Sequence, residues 1–364
     1  MTKPAVRQER EAPSDAVTEV APGVLRIQLP MNMPGLGHVN CYAMEDSRGI
    51  ALVDPGLPGP ASYRALKQRL ASVGLSHRRV HSVIVTHSHP DHYGNANRLR
   101  TETGATVITE RSFKTFWDPM EEDDEHKELA GPGDADEQAA AAEAVERGRQ
   151  VVPKWNRPTP WGGDGPKPPT RTRWRYAVLG RMFNGWYRPP VPTRRVEDAD
   201  VISLAGRDWV AVHTPGHTHD HLCLLDPTEG VFISGDHVLP TITPHISGMV
   251  RLDDPLAHFF GSLRKVGAYD SVKITLPAHG HPFDDLGGRT EEIIDHHHER
   301  LQILRDASAE FGSGHVGDYS QKLFKPRAWG PMADSETYAH LEHLRLTGEA
   351  GARRVEGQLV YEVG

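Results

Sequence analysis

Short apolar runs separated by polar turns open the chain, and their spacing changes from two to about 3.6 as it proceeds. Val24–Leu29, Cys41–Ala43 and Ile50–Val53 have the pattern of strands, with the Pro/Gly-rich stretch from Pro30 to Gly37 expected as a loop between the first two. Ala61–Val73 places Leu66, Leu70 and Val73 on one helical face. Ser82–Thr86 (SVIVT) is a continuous β-branched run, the mark of a strand buried on both faces. A helix over Asn95–Thr103 and a strand over Thr106–Thr109 follow. Further along, strands are predicted at Val201–Leu204, Asp208–His213, Leu222–Leu225, Val231–Ser234 and Lys273–Leu276, with a turn at Gly206-Arg207 and a helix over Pro255–Val266. The chain is expected to be helical from Thr290 to about Ala309 and from Ser335 to Leu346, and to close with a hairpin of Arg353–Val355 and Leu359–Val363 around Gly357. Two half-sheets with helices between their strands predict a layered α/β sandwich.

Between these halves the pattern breaks. Residues 111–150 carry 12 acidic and 5 basic side chains, whereas residues 151–195 carry 10 Lys/Arg against the single Asp164. The second block is rich in Pro and Gly and holds Trp155, Trp161, Trp174, Tyr176, Trp186 and Tyr187, so residues 113–195 are expected to be an insertion. Residues 1–17 are polar and are expected as a disordered tail, with no apolar core of a signal peptide. No stretch approaches the roughly 18 apolar residues of a membrane span. Two cysteines, Cys41 and Cys223, supply neither a disulfide framework nor a CxxC zinc site, and a cytoplasmic setting is expected. The net charge of −8 argues against a general nucleic-acid binder.

The unusual number is 22 histidines in 364 residues. Their placement carries the signal. His87-Ser88-His89-Pro90-Asp91-His92 directly follows the SVIVT strand, so one loop offers three imidazoles and a carboxylate, donors that suit zinc, iron or manganese. Thr214-Pro215-Gly216-His217 follows the strand ending at His213, with His219 and His221 beyond it. Ser234-Gly235-Asp236 ends a third strand, and Pro277-Ala278-His279-Gly280 ends a fourth. Four strand exits each deliver a metal-type donor.

HxHxDH, TPGH, GD and AHG in this order resemble the metallo-β-lactamase superfamily, over roughly residues 20–111 and 197–290. The resemblance implies a four-layer αββα sandwich over residues 18–290 with two divalent metal ions at one edge of the sheets, zinc before iron or manganese. It implies that His87, His89 and His217 hold one ion, that Asp91, His92 and His279 hold the other, and that Asp236 bridges them. Asp54, in Leu52-Val53-Asp54-Pro55-Gly56, matches the buried carboxylate that orients the ligand loops. His221 is expected in a similar supporting place. A carboxylate at position 236, where the commonest true β-lactamases have a cysteine, is similar to the glyoxalase II and ribonuclease-like branches.

Two divalent ions carry more positive charge than Asp91, Asp236 and a bridging hydroxide return, which favours an anionic substrate and a developing oxyanion. Asp91 is the expected proton acceptor of the attacking water, and His237 and His245 are candidate donors to the leaving group. Residues 291–364 resemble the winged-helix-like C-terminal unit of the lactamase-beta-2-like branch, some of whose members cut single-stranded RNA. In the middle of the predicted helix, His297 is expected to face the core, beside Ile293, Leu301 and Leu304. The expected activity is hydrolysis of a small anionic acyl compound, a thioester or a lactone, carried by a group such as coenzyme A. The alternative is a single-strand-specific endoribonuclease, which the basic, aromatic block supports. A non-catalytic binding or redox role is disfavoured because every ligand position is filled. The insertion is expected to serve as a lid over the site, a homodimer arm or a decoration.

Overall fold

The computed structural model describes residues 7–33, 35–115, 158–163, 170 and 186–364. A seven-stranded sheet runs in the order β1 to β7: β1 (Thr18–Ala21), β2 (Val24–Met33), β3 (Leu36–Asp46), β4 (Gly49–Val53), β5 (Val80–Ile84), β6 (Thr106–Glu110) and β7 (Arg194–Val196). Its first four strands are an antiparallel meander; from β4 onward the pairing is parallel, with α1 (Pro60–Ser72), α2 (Pro90–Tyr93) and α3 (Ala96–Thr103) in the crossovers. The second sheet has five strands in the order β12-β11-β10-β9-β8, formed by β8 (Val201–Leu204), β9 (Arg207–His213), β10 (Leu222–Asp226), β11 (Val231–Gly235) and β12 (Ile274–Pro277). Helix α4 (Pro255–Gly267) crosses between the parallel neighbours β11 and β12.

Burial follows the layers. Tyr42, Met44, Val53 and Ile84 of the first sheet meet Trp209, Leu222, Leu224 and Ile233 of the second in a fully enclosed middle layer. The other face of the first sheet packs on Leu66, Leu70 and Leu99 of α1 and α3. The outer face of the second sheet, Val212, Cys223 and Phe232, packs on Phe259 and Leu263 of α4 and on Ile293, Leu301 and Leu304 of α5 (Leu286–Phe311). Strands covered on both faces need no polar alternation, which is why β4, β10 and β11 are buried throughout. Each large apolar side chain taken from water there contributes about 1.5–3 kcal/mol. The architecture is the expected αββα sandwich, followed by α6 (Val316–Leu323), α7 (Pro331–Leu346) and the small sheet β13-β15-β14, in which β13 is Gly314–His315, β14 Ala350–Val355 and β15 Gln358–Val363.

Four expectations need correction. Pro30–Gly37 is not a loop: β2 continues to Met33, and Pro30 sits opposite His38 at an irregularity of the ladder, where its missing N–H is tolerated. Residues 7–17 do not form a disordered tail; Gln8–Arg10 make a 3₁₀ turn in which Glu9 is fully buried. The division at residue 290 falls inside α5, because the core that holds Phe232 and Phe259 is continuous with Leu344 and Tyr361 of the C-terminal unit. The insertion ends before residue 194, where β7 joins the sheet edge. Most of its expected span (116–157, 164–169 and 171–185) lies outside the described residues, but Trp161 packs on Tyr338 of α7 with ring centroids 5.1 Å apart. Among the described residues no helix is long and apolar enough to cross a membrane.

Candidate metal centre

The four donor-bearing exits meet at one edge of the sandwich. β5 runs out through Val85 and Thr86 to His87 and His89, and Pro90 at the first position of α2 turns Asp91 and His92 back into the same space. β9 leads to His217, β11 ends at Asp236 and β12 leads to His279. The turn at Gly235 needs glycine: its φ is +52°, and a Cβ would sit 2.8 Å from His221 Nε2.

His87, His89, His217 and Asp236 place one donor atom each within 4.8 Å of one another, and so do Asp91, His92 and His279. In the first group His89 Nδ1 lies 2.9 Å from His87 Nε2 and 3.2 Å from His217 Nε2. Asp236 Oδ2 is 3.6 Å from His217 Nε2 and 3.5 Å from His92 Nε2, and its Oδ1 is 3.3 Å from His279 Nε2, so this carboxylate stands between the groups. His92 Nε2 and His279 Nε2 are 3.4 and 3.5 Å from Asp91 Oδ2.

The far nitrogens set the tautomers. A carbonyl or carboxylate can only accept, so His217 Nδ1 donates to His245 O (2.7 Å), His279 Nδ1 to His38 O (2.7 Å) and His92 Nδ1 to Asp54 Oδ2 (2.8 Å). The Nε2 lone pairs of all three are thereby directed inward. Asp54 also accepts from Thr86 N (2.9 Å) and Thr86 Oγ1 (2.8 Å), and it sits at φ +53°, a conformation Asp tolerates better than most residues. His221 accepts a hydrogen bond from Asp236 N at 3.1 Å through its Nε2, while its Nδ1 meets Thr214 Oγ1 at 2.8 Å.

Burial pushes His87, His89 and His217 down, with neighbouring imidazoles adding to it for His87 and His89, and His89 falls to about 3; these rings are neutral and able to ligate. Burial opposes charge on Asp91 and Asp236 too, but His92 and His279 outweigh it and hold both carboxylates well below their usual range. Burial opposes charge on His92 and His279 as well, but Asp91 and Asp236 outweigh it and push His92 up, and His279 up to about 10, so an ion bound there would take the place of a proton on each Nε2. His92 Nε2, His279 Nε2 and Asp236 Oδ1 are nevertheless buried without a hydrogen-bond partner. Converging imidazole nitrogens and carboxylate oxygens, buried without hydrogen bonds, fit divalent metal ions.

A family model for the metallo-beta-lactamase superfamily matches residues 34–279. The chain belongs to that superfamily. The lactamase-like protein aptB of Emericella nidulans is 31% identical over 156 residues, 42% of this chain and 47% of that protein. The atrochrysone carboxyl ACP thioesterase AgnL7 of Paecilomyces divaricatus is 32% identical over 126 residues, 34% of this chain and 38% of its own length. The chain thus matches less than half the length of these curated relatives. The crystal structure of the metallo-beta-lactamase family protein TTHA1429 from Thermus thermophilus superposes with a TM-score of 0.68 at 25% identity, covering 95% of this chain and all of that one.

Within this metallo-beta-lactamase fold all seven expected donors come together, with Asp54 and His221 directly behind them. His237 does not join them. Its ring is fully buried, edge-on to Phe259 at 5.2 Å, burial pushes it down to about 3, and neither nitrogen has a hydrogen-bond partner. The ring packs against Phe259 and His221 and contributes to neither donor group. His245 is at the edge of the centre: its carbonyl holds His217, and its half-buried ring meets Glu336 Oε2 at 3.0 Å. Sequence reasoning gave no role to Glu336, Thr86, Thr214 and His38: Thr214 stands in TPGH and Thr86 ends SVIVT, but what each side chain touches is set by the fold, Thr86 meeting Asp54, Thr214 meeting His221, His38 the His279 loop and Glu336 the ring of His245. A further buried group, His297, Glu336 and His340, is explained by hydrogen bonding. His340 Nδ1 donates to Glu336 O, leaving Nε2 to accept from His297 Nδ1 at 3.0 Å, and Arg300 and His245 take the two oxygens of Glu336.

Proposed function

We propose that the chain is a two-metal hydrolase that cleaves a carrier-linked acyl thioester. The observation that carries this reading is the pair of donor groups joined by Asp236, with buried lone pairs facing one space and satisfied protons facing away. His87, His89 and His217 would hold one ion, Asp91, His92 and His279 the other, and zinc suits this donor set best, with iron and manganese taken by the same ligands. Bound there, such ions would lower the pKa of a water to near neutrality and polarise a carbonyl for its attack.

The chain's own residues do the rest. Asp91 is the base that takes the water's proton, while Asp54, His38 O and His245 O keep protons on the far nitrogens of His92, His279 and His217. The walls exclude bulk water, which strengthens each interaction with developing negative charge. A thiol with an ordinary pKa of about 8.5 leaves as thiolate without help from a strong acid, which fits a centre from which His237 is walled off. The name of AgnL7 as an acyl-carrier-protein thioesterase supports the thioester, and the carboxylate at Asp236 speaks against a β-lactam substrate.

Turnover of acyl-CoA and acyl-carrier-protein thioesters, measured beside a labelled single-stranded RNA, tests the reading. Thioesters should be hydrolysed with two ions bound and should be inert with His89→Ala. RNA cleavage with inert thioesters would overturn it in favour of the endoribonuclease.

A further inference from the structure

We propose that the N-terminal segment Gln8–Glu11 is a strap that positions the loops of the metal centre, with Glu9 as its anchor. The inference rests on the metal-centre reading above. Glu9 is fully buried, and its carboxylate accepts hydrogen bonds from Thr241 N (3.0 Å), Ile242 N (3.2 Å) and Thr241 Oγ1 (2.5 Å). A buried carboxylate is costly unless donors satisfy it, so the pairing specifies one arrangement of strap and loop. Those donors lie between Asp236, which joins the two groups, and His245, whose carbonyl orients His217. From the other side Arg289 of α5 closes on the same loop, with Nε donating to Leu239 O (2.7 Å) and a terminal nitrogen to Ile242 O (2.9 Å).

The strap also grips the loop of His279. Gln8 Oε1 accepts from His281 N at 3.1 Å, and Glu11 Oε2 meets His281 Nε2 at 2.8 Å. The main-chain oxygen of Glu11 accepts from His38 Nδ1 at 2.9 Å. That leaves His38 Nε2 to accept from Gly280 N at 3.3 Å, while the carbonyl of His38 holds His279 Nδ1. The fit is close: a Cβ on Gly37 would come within 2.1 Å of Glu11 O and 2.7 Å of Arg10 O. One four-residue segment thus ties two loops and the start of β3, and through them orients donors of both groups. Among the described residues, the hydrogen bonds of Gln8, Glu9 and Glu11 go to Thr241, Ile242, His281 and His38 and not to the donor atoms themselves, so Glu9 is a positioning residue.

The test is titration of zinc and cobalt(II) into the metal-free full-length chain against a chelating indicator, with the cobalt absorption spectrum as a second readout. Wild-type protein should take two ions. Gly37→Ala evicts the strap without demanding an unusual backbone, and Glu9→Ala unties its anchor. Each should weaken at least one ion about 10–100-fold and alter the cobalt spectrum. The double variant should be no weaker than the worse single one, since both remove the same strap. Glu9→Gln should restore most of the affinity, its amide oxygen serving the two N–H groups and its nitrogen the Thr241 hydroxyl. Leu66→Ala, a cavity under α1, should lower the melting temperature and leave both affinities unchanged. Unchanged affinities in Gly37→Ala and Glu9→Ala, or losses that add in the double variant, would overturn the strap. Wild-type protein binding fewer than two ions would overturn the metal-centre reading itself and the strap with it. Should Glu9→Ala fail to fold, Gly37→Ala decides alone.

Discussion

Replacing Asp54 by Asn alters one side-chain atom and almost no volume, and Asn, like Asp, accepts the positive φ found there. The chemistry changes where it matters. Asp54 accepts three donors: Thr86 N, Thr86 Oγ1 and His92 Nδ1. Asn can keep an oxygen toward Thr86 N, but its NH₂ then faces His92 Nδ1, which can no longer carry a proton. The proton moves to Nε2, the nitrogen aimed at Asp91 and Asp236. Thr86 Oγ1, no longer obliged to donate to a carboxylate, is also free to donate to His87 Nδ1 at 3.1 Å, which disfavours ligation by that ring too. Loss of such support behind a ligand costs about 10–100-fold in ion affinity, or about 1.4–2.7 kcal/mol. Folding of the metal-free chain should lose about 1–3 kcal/mol for the mispaired buried group. Zinc competition with a chelating indicator gives the affinity, and ¹⁵N shifts of the histidine rings report the tautomer. Asp54→Asn that binds two ions as tightly as the wild type, with His92 still protonated at Nδ1, would refute the argument.

His89→Ala removes the nitrogen shared between His87 and His217 and should leave at most one ion per chain by metal analysis. Chelation of the bound ions should lower the melting temperature, because ligand at about 1,000 times its Kd contributes about 4 kcal/mol to stability. Burial pushes the Glu336 carboxyl up, but His245 and Arg300 overcome this and hold it at about 2. A depressed carboxyl stabilises the fold above its unfolded value near 4.5, and that contribution, about 3 kcal/mol, is lost as pH falls from 4.5 toward 2. Glu336→Gln should therefore flatten the acid limb of thermal stability between those values, and an unchanged limb would contradict the assignment. His237→Phe exchanges a buried imidazole without hydrogen bonds for a ring of similar shape; stability should hold or rise and thioester turnover should persist, whereas lost turnover at normal ion content would return His237 to the chemistry.

The strands that carry the donors are legible because their information is local. SVIVT and the run Val231–Ser234 lack polar alternation, as strands between two layers must, and each is followed at once by a turn and a donor. The helix over residues 290–309 is recognisable but too short, since Leu286–Arg289 owes its helicity to the Asp285 cap and to contacts with the 239–242 loop. Residues 7–17 read as solvent-facing tail because Gln8, Glu9 and Glu11 are polar. The burial of Glu9 and the docking of Gln8 and Glu11 are possible only where Thr241, Ile242 and His281 supply the partners, more than 230 positions along the chain. His237 misleads for the converse reason. Beside Asp236 in sequence, it points from the strand end into the apolar layer against Phe259.

By itself the sequence determined which residue types arrive at the sheet edge and in what order, since strand, turn and donor are neighbours along the backbone and need no distant partner. Tertiary structure alone decided which nitrogen of His92, His279 and His217 faces the shared pocket, because the protons on the other side are fixed by Asp54, His38 O and His245 O, acceptors 38, 241 and 28 residues away. It also decided that Glu9 and Glu336 belong to the surroundings of the centre. A hydrogen bond depends on distance and direction in space, and a sequence records neither until the chain has folded.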